Sequence, residues 1–444
     1  MPLHNFYTNT NATILFCKCA LPNMASVAFI YLYIIIDGIF VGKYLGTDSL
    51  AAMNLVMPFI MISFALADMI AIGSSVQIAI NLGKGKIEKA RAIFSFCIVL
   101  IFVISCLMGI LGFFLAKPLS AFMGADENIQ NLSTEYMQIF ALFAPFTMLA
   151  FAMDSYLRIC GKTFYSMVVN ITVALSNIIL DWLFIVIFEW SLFSAALATC
   201  IGMFLGTTLG FIPFIFKDLI LKFKKPIIHL KILKNIIYNG SSEFFSNISS
   251  SIFTILANAI LLKIAGNQAL AAFSIILYLS TFAFGLILSM CEAMQPAISY
   301  NYGYKNILRI QAIFKRMFIA SGVFGISVFL LAFFFNEIIV SLFNKNNDIS
   351  FANLAQNALV LFSFSFLLSW LGKLCASFFT ALDKPMLSLA ISIIQSLVLP
   401  FIFIQVLSYY LSLNGVWLAS FASEVLMVFI ASYLLYKTFK DLNS

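Results

Sequence analysis

The sequence predicts an all-α integral membrane protein of twelve transmembrane helices, arranged as two parallel repeats of six. Three observations predict it. Of 444 residues, 63% are hydrophobic and only 10% are charged, against roughly 25% charged in a water-soluble domain, so the folded chain has lipid as its solvent. When twelve crossings are drawn, the 25 basic residues divide 21 to 4 between the two sides of the membrane. The chain also repeats itself at an offset of 220 residues. Ten-residue segments of alternating polarity are missing, which excludes an outer-membrane barrel. Helices, which satisfy their own backbone groups, are the spanning element that remains.

A bilayer core about 30 Å thick takes roughly 20 apolar residues per helix. Span 1, residues 14–41, is a mainly apolar run that stops at Gly42-Lys43; span 2, 51–82, opens behind Thr47-Asp48 and ends at Gly83-Lys84. Span 3 covers 91–117 and stops at Lys117-Pro118; span 4, 131–158, follows the polar stretch GADENIQN; span 5, 164–188, starts after Gly161-Lys162; span 6 covers 193–217. In the second half, 236–264 follows Lys234-Asn235, 270–302 follows Gly266-Asn267, and 308–335 follows Asn306. Spans 10, 11 and 12 are 351–379 after NKNND, 385–408 after Asp383-Lys384, and 414–437. Gly, Pro, Asn and charge punctuate apolar helices in this way.

With the N-terminus in the cytoplasm, the inner segments hold Lys18, the Lys84–Arg91 group, Arg158, Lys162, and six lysines between Lys217 and Lys234. They continue with Lys305, Arg309, Lys315, Arg316, Lys373, Lys384, Lys437 and Lys440, leaving Lys43, Lys117, Lys263 and Lys345 outside. The positive-inside rule puts both termini in the cytoplasm, and an odd helix count would scramble the split. The connection from Lys217 to Asn235 joins the halves and reads as an amphipathic strap against anionic headgroups. The N-terminus shows no basic region, short apolar core and cleavage site in series, so no signal peptide is expected.

The offset of 220 aligns LGTDSLAAMNLVMPF, from Leu45, with AGNQALAAFSIILYL, from Ala265, and gives thirteen identities in 49 positions, Gly46/Gly266, Asn81/Asn301 and Gly83/Gly303 among them. A shift of six helices preserves orientation, so the repeats are parallel, as in transporters that rock one lobe against the other. The expected organisation is an N-terminal lobe 1–217, a cytoplasmic connection 218–235 and a C-terminal lobe 236–444.

Acids inside a membrane are expensive and face cavities or ion paths. Asp37, Asp68, Asp154 and Asp181 are such acids in the first half, and Glu243, Glu292 and Glu424 in the second. Asn177 and Asp181 are spaced i, i+4 and share one helix face. With Asp37 from span 1 and a hydroxyl such as Thr199 from span 6 they can form an oxygen cage for a hard cation, or hold one proton with a water. Aligning GKTFYS at Gly161 with DKPMLS at Asp383 puts Leu399 opposite Asn177 and Phe403 opposite Asp181, so the cage belongs to the first lobe alone. Pro22 lies fifteen residues before Asp37, about 22 Å along the helix, and permits a bend there.

The net charge of +7 is scattered between apolar runs, which is not a nucleic-acid-binding face. Eight cysteines show neither a zinc spacing nor a disulfide framework. His4 and His229 are the only histidines and lie outside the spans, and HExxH, GxSxG and the P-loop pattern are all missing, which argues against an enzyme or direct ATP drive.

The stretches IDGIFVGKYLGTDSLAA from Ile36, IGSSVQIAINLGKGKIEKA from Ile72, LRICGKTFYSMVVN with SNIILDWLFI, GNQALAAFSI from Gly266 and MQPAISYNYGYKN from Met294 together resemble the multidrug and toxic compound extrusion (MATE) family, particularly its bacterial branch, over nearly the whole chain. The resemblance implies a V-shaped pair of six-helix lobes in the bacterial inner membrane, exporting cationic or amphipathic organic compounds by alternating access in antiport with Na⁺ or H⁺. It implies a coupling site at Asp37, Asn177, Asp181 and Thr199, where Na⁺ would bind, a coupling hinge at Pro22 and a cavity tyrosine at Tyr33. Asp154, which stands where the first-lobe cavity of relatives tends to have an amide, Glu243 and Glu292 are candidates for the substrate cavity, and the two glutamates also for a second-lobe cation. The expected partners are small organic molecules, a monovalent cation and membrane lipid, with no cofactor and no nucleic acid, acting on a monomer. The rival reading is a lipid-linked oligosaccharide or lipid flippase of the related superfamily; basic cavity residues would favour it, and Lys373 is the most membrane-internal lysine.

Overall fold

In a computed structural model, residues 3–122, 125–216, 219–226, 230–344 and 348–443 are described. Lys217, His229 and Lys345 lie outside these residues, as does the expected lobe boundary at 217–218. Ten helical runs are long and apolar enough to cross a bilayer. The first six are α1 (Ala12–Phe40), α2 (Thr47–Gly83), α3 (Ile87–Phe122), α4 (Glu127–Ile159), α5 (Thr163–Asp181) and α6 (Phe193–Phe216). A short helix, Leu3–Thr8, precedes α1.

Two later runs are too long for one crossing. Leu230–Gly303 has 74 residues, about 110 Å of helix, and turns at Gly266 (φ 66°, ψ −154°) into α7 (230–265) and α8 (267–303). The run Pro385–Asn443 turns at Ser412 (φ 50°, ψ −127°) into α11 (385–411) and α12 (413–443). Between them stand α9 (Ile307–Phe334) and α10, which is Ile349–Ser363 and Ser369–Ala381 joined by the 3-10 turn Phe364–Leu367. The described residues thus hold twelve spans, all helical.

The repeat is visible in the backbone as well as in the side chains. Every described residue with positive φ in the first half has a counterpart in the second: Gly46 and Gly266, Gly85 and Lys305, Gly161 and Asp383, Glu189 and Ser412. Each pair marks a junction between the same two spans of its repeat. At Gly46 (φ 88°, ψ −177°) and Gly266 the backbone occupies a region open essentially to glycine alone. That is the physical reason for this particular identity in the repeat, since no neighbouring atom would meet a Cβ at either position.

The chain forms two compact units, Met1–Thr10 with Cys17–Gly240, and Asn11–Phe16 with Ser241–Ser444. In the first, α2, α3 and α4 pack together and α6 packs on α4 and α5. Small residues permit the approach: a Cβ on Gly109 of α3 would lie 2.6 Å from the Ala141 carbonyl oxygen of α4. In the second, the core lies among Phe273, Ala358, Phe366, Ile404 and Trp417. Large apolar side chains such as Phe114, Phe216 and Phe429 stay exposed, as lipid-facing surface does.

The segment expected as a strap between the halves packs, where it is described, on the first unit. Leu219 and Leu221 are buried, Arg91 Nε donates to the Ile220 carbonyl (2.9 Å), the Lys224 amide donates to Ser95 Oγ (2.8 Å), and Lys224 pairs with Glu88. Residues 219–226 are therefore pinned to α3 of the first unit, with Lys222 and Lys225 left on the exposed edge. Helix resumes at Leu230, ahead of the expected Asn235.

Candidate functional site

The first-unit cluster follows from where two helices end. Asp37 lies near the end of α1, which continues as a π turn, Val41–Leu45; Asp181 closes α5, which continues as a π turn, Trp182–Ile187. The two π turns pack against each other, and the carboxyl groups of Asp37 and Asp181 come within interaction range. A π turn widens the helix by one residue and is common at functional sites. Asp181, the last α-helical residue before that turn in α5, is fully buried.

Helix α6 completes the cluster. Gly202 lets it approach α5, because a Cβ there would sit 3.1 Å from the Val173 carbonyl oxygen. One turn before Gly202, Thr199 Oγ1 accepts a hydrogen bond of 3.0 Å from Asn177 Nδ2. This bond orients the Asn177 amide, whose carbonyl oxygen is buried without a hydrogen-bond partner among the described residues. Asp37, Asn177, Asp181 and Thr199 are 8%, 1%, 0% and 9% exposed, so all four are buried.

The satisfaction of these groups is incomplete. Asp37 Oδ1, Asn177 Oδ1 and both carboxylate oxygens of Asp181 have no hydrogen-bond partner among the described residues. Buried polar atoms are nearly always paired, so these four oxygens in one cluster are suited to accept a cation, a proton or a water. The donor set, two carboxylates, an amide oxygen and a hydroxyl, is what a hard monovalent cation prefers. No group of three or more His, Cys, Asp or Glu able to hold a metal occurs among the described residues.

Tyr33 is buried beside Asp37 and Asp181. Tyr136 of α4, which sequence reasoning missed, is buried beside the same acids and Cys200. Its only signal in the sequence is a phenol inside an apolar span, EYMQIF.

Asp154 belongs to a different place. It pairs with Arg158 (3.1 Å), accepts from Asn170 Nδ2 (2.9 Å) and takes a hydrogen bond from the Ser166 hydroxyl. Along α4 it is eighteen residues from Tyr136, roughly 27 Å, so it does not share the Asp37 cluster. Asp68 is the third charged group of this network. Arg158 is 8% exposed and its backbone carbonyl accepts from Tyr7 Oη (2.8 Å); it is a structural ion-pair partner rather than a loop charge. A small cavity of about 20 Å³ opens beside Asp154, Ser166 and Asn170, room for about one water.

In the second unit Glu243 is buried on α7 and Glu292 is half-buried on α8. Both lie within charge range of Cys291, and Glu243 also of Lys373. Pro22 sits inside α1, and Ser26 Oγ donates to its carbonyl oxygen (3.1 Å).

Comparison with known proteins agrees with this architecture. The MatE family model matches residues 22–183 and 244–406, one match in each half. The chain is 26% identical over 423 residues to the multidrug export protein MepA of Staphylococcus aureus (strain MSSA476), covering 94% of this chain and 92% of that one. Among solved structures, MATE in complex with MaL6 superposes with a TM-score of 0.94 at 21% identity, covering 100% of this chain and 99% of that chain. An outward-facing multidrug resistance MATE transporter of the MOP superfamily gives 0.89 at 22% identity, covering 96% of each. With twelve apolar spans, a doubled backbone plan and a family match across both halves, the chain belongs to the MatE family of multi-pass membrane transporters.

Proposed function

We propose that this transporter exports small cationic or amphipathic organic compounds in exchange for an entering cation, Na⁺ or H⁺, which is taken up by Asp37 and Asp181 with Asn177 and Thr199. The observation that carries the reading is the set of four orphaned oxygens in the first unit. Two adjacent carboxylates in a low-dielectric interior repel each other and lack water. No lysine or arginine of the described residues pairs with either, so a mobile cation or proton is the natural counter-charge. Loading and unloading that charge changes the stability of the packed π turns of α1 and α5, and Pro22 gives α1 a point at which to bend in response. Antiport then follows by alternating access: the loaded state releases substrate outside, and the unloaded state accepts it inside.

The MepA relatives, named as multidrug exporters, support the substrate class, and the 50 Phe and 18 Met of the sequence suit adaptable apolar recognition. The reading carries with it a monomer in the inner membrane with both termini in the cytoplasm. The test is ethidium efflux from proteoliposomes under an imposed Na⁺ gradient, then an imposed pH gradient. One gradient should drive uphill transport in the wild type and fail to do so in Asp37→Asn and Asp181→Asn. Full gradient-driven transport by both variants refutes the assignment.

A further inference from the structure

The second unit holds charged groups that the coupling site does not use. Gln395 lies in a π turn of α11, Ile394–Val398, which turns its amide toward α10 and α12. Its Nε2 donates to the Ser369 carbonyl oxygen (3.0 Å) and to both oxygens of Glu424 (3.0 Å each). Gly372 makes this possible, since a Cβ there would collide with the Gln395 side chain. Glu424 is 9% exposed and is thus held by a neutral amide, with no ion pair of its own among the described residues.

Lys373 follows Ser369 by four residues and shares its helix face. Its Nζ stands 4.6 Å from the centroid of the Phe284 ring. Glu424 and Glu243 are the acids whose charge reaches it, yet no ion pair to Lys373 is present among the described residues. Opposite charges in an apolar interior gain most by touching. Here Gln395 holds one and Phe284 the other, so the ammonium and the carboxylate remain separate poles. Lys373 and Phe284 are both partly exposed, as a ligand-facing pair must be.

Resting on the export reading above, we propose that Lys373 and Glu424 are the two poles of a recognition site for zwitterionic organic substrates, with Lys373 taking the carboxylate and Glu424 the cationic group. Phe284 supplies an aromatic face beside Lys373, and Glu243 is a second acid within charge range of Lys373. Lys373 is then a specificity-determining residue: it admits carboxylate-bearing compounds to a transporter whose other intramembrane charges are mainly acidic, and it competes with purely cationic compounds for the same acids.

The test is equilibrium binding of norfloxacin, a zwitterion, and ethidium, a monocation, to purified wild type, K373Q, K373R and E424Q. Losing one charge-assisted contact costs at least about tenfold in affinity. K373Q should therefore weaken norfloxacin binding by about tenfold or more while ethidium binding holds or tightens, and K373R should retain norfloxacin. A K373Q protein that keeps wild-type norfloxacin affinity, or loses both compounds equally, overturns the proposal, as does a wild type that does not bind norfloxacin. If K373Q does not purify as a folded protein, E424Q decides by its own loss: ethidium must weaken, and unchanged ethidium binding overturns the proposal. Binding needs no gradient, so failure of cation-driven efflux would refute the export reading and leave this ratio readable.

Discussion

Replacing Asp181 by asparagine keeps the shape of the side chain and removes one of the two negative charges at the candidate cation site. Both Asp181 oxygens are orphaned and the residue is fully buried, so a bound cation would make its contact with Asp181 in an environment nearly free of screening. A hydrogen bond or contact involving a charged group contributes about 1.5–3 kcal/mol, which converts at about 1.4 kcal/mol per decade to roughly 10- to 150-fold in cation affinity. The direct assay is the thermal stabilisation of detergent-purified protein as Na⁺ is titrated at high pH, or as pH is lowered without Na⁺. Wild type should show a saturable rise in melting temperature with the coupling ion. In Asp181→Asn the midpoint should move to at least tenfold higher ion concentration, and in the ion-free state the variant should melt above wild type, because the repulsion with Asp37 is gone. A variant with the wild-type midpoint, and no gain in the ion-free state, would refute the claim that these two carboxylates are balanced by a mobile charge.

Thr199→Val should cost about 1–3 kcal/mol, since it leaves the Asn177 amide nitrogen buried without an acceptor, and Thr199→Ser should restore both melting temperature and gradient-driven efflux. Arg158→Gln should destabilise by about 3 kcal/mol by stranding Asp154; an Asp154→Asn/Arg158→Gln double variant should recover a large part of it, which a double-mutant cycle of melting temperatures measures. Ser412→Gly should stabilise by about 1 kcal/mol or more by relieving a non-glycine residue of positive φ, and Gly266→Ala should destabilise by a similar amount, both read by thermal unfolding in detergent.

The Asn177–Asp181 pair was legible because i, i+4 spacing is a property of one helix. Asp37 and Thr199 came from two other helices, and the sequence could offer them only as chemically suitable donors, with the family resemblance supplying the match. Tyr136 was not legible, because one phenol in an apolar span carries no sign of which helix it faces. The same holds for Arg158: counted along the chain it is a topology marker, and only packing reveals its pairing with Asp154 and its carbonyl's bond to Tyr7.

What the sequence determined by itself is what lipid makes local. In a bilayer each helix must satisfy its own backbone, so span length, span number and the repeat are written in windows of about 20 residues, and glycine at 46 and 266 follows from a backbone conformation that other residues resist. What only the tertiary structure decided is which polar atoms end up with partners. That depends on where the helices place Asp37, Asp181 and Gln395, next to or within π turns, and on which neighbouring helix comes close enough to meet them, a non-local outcome of packing. The same acids in the same spans could have been ion-paired structural groups, as Asp154 is; packing left Asp37 Oδ1 and both Asp181 oxygens without a hydrogen-bond partner among the described residues instead.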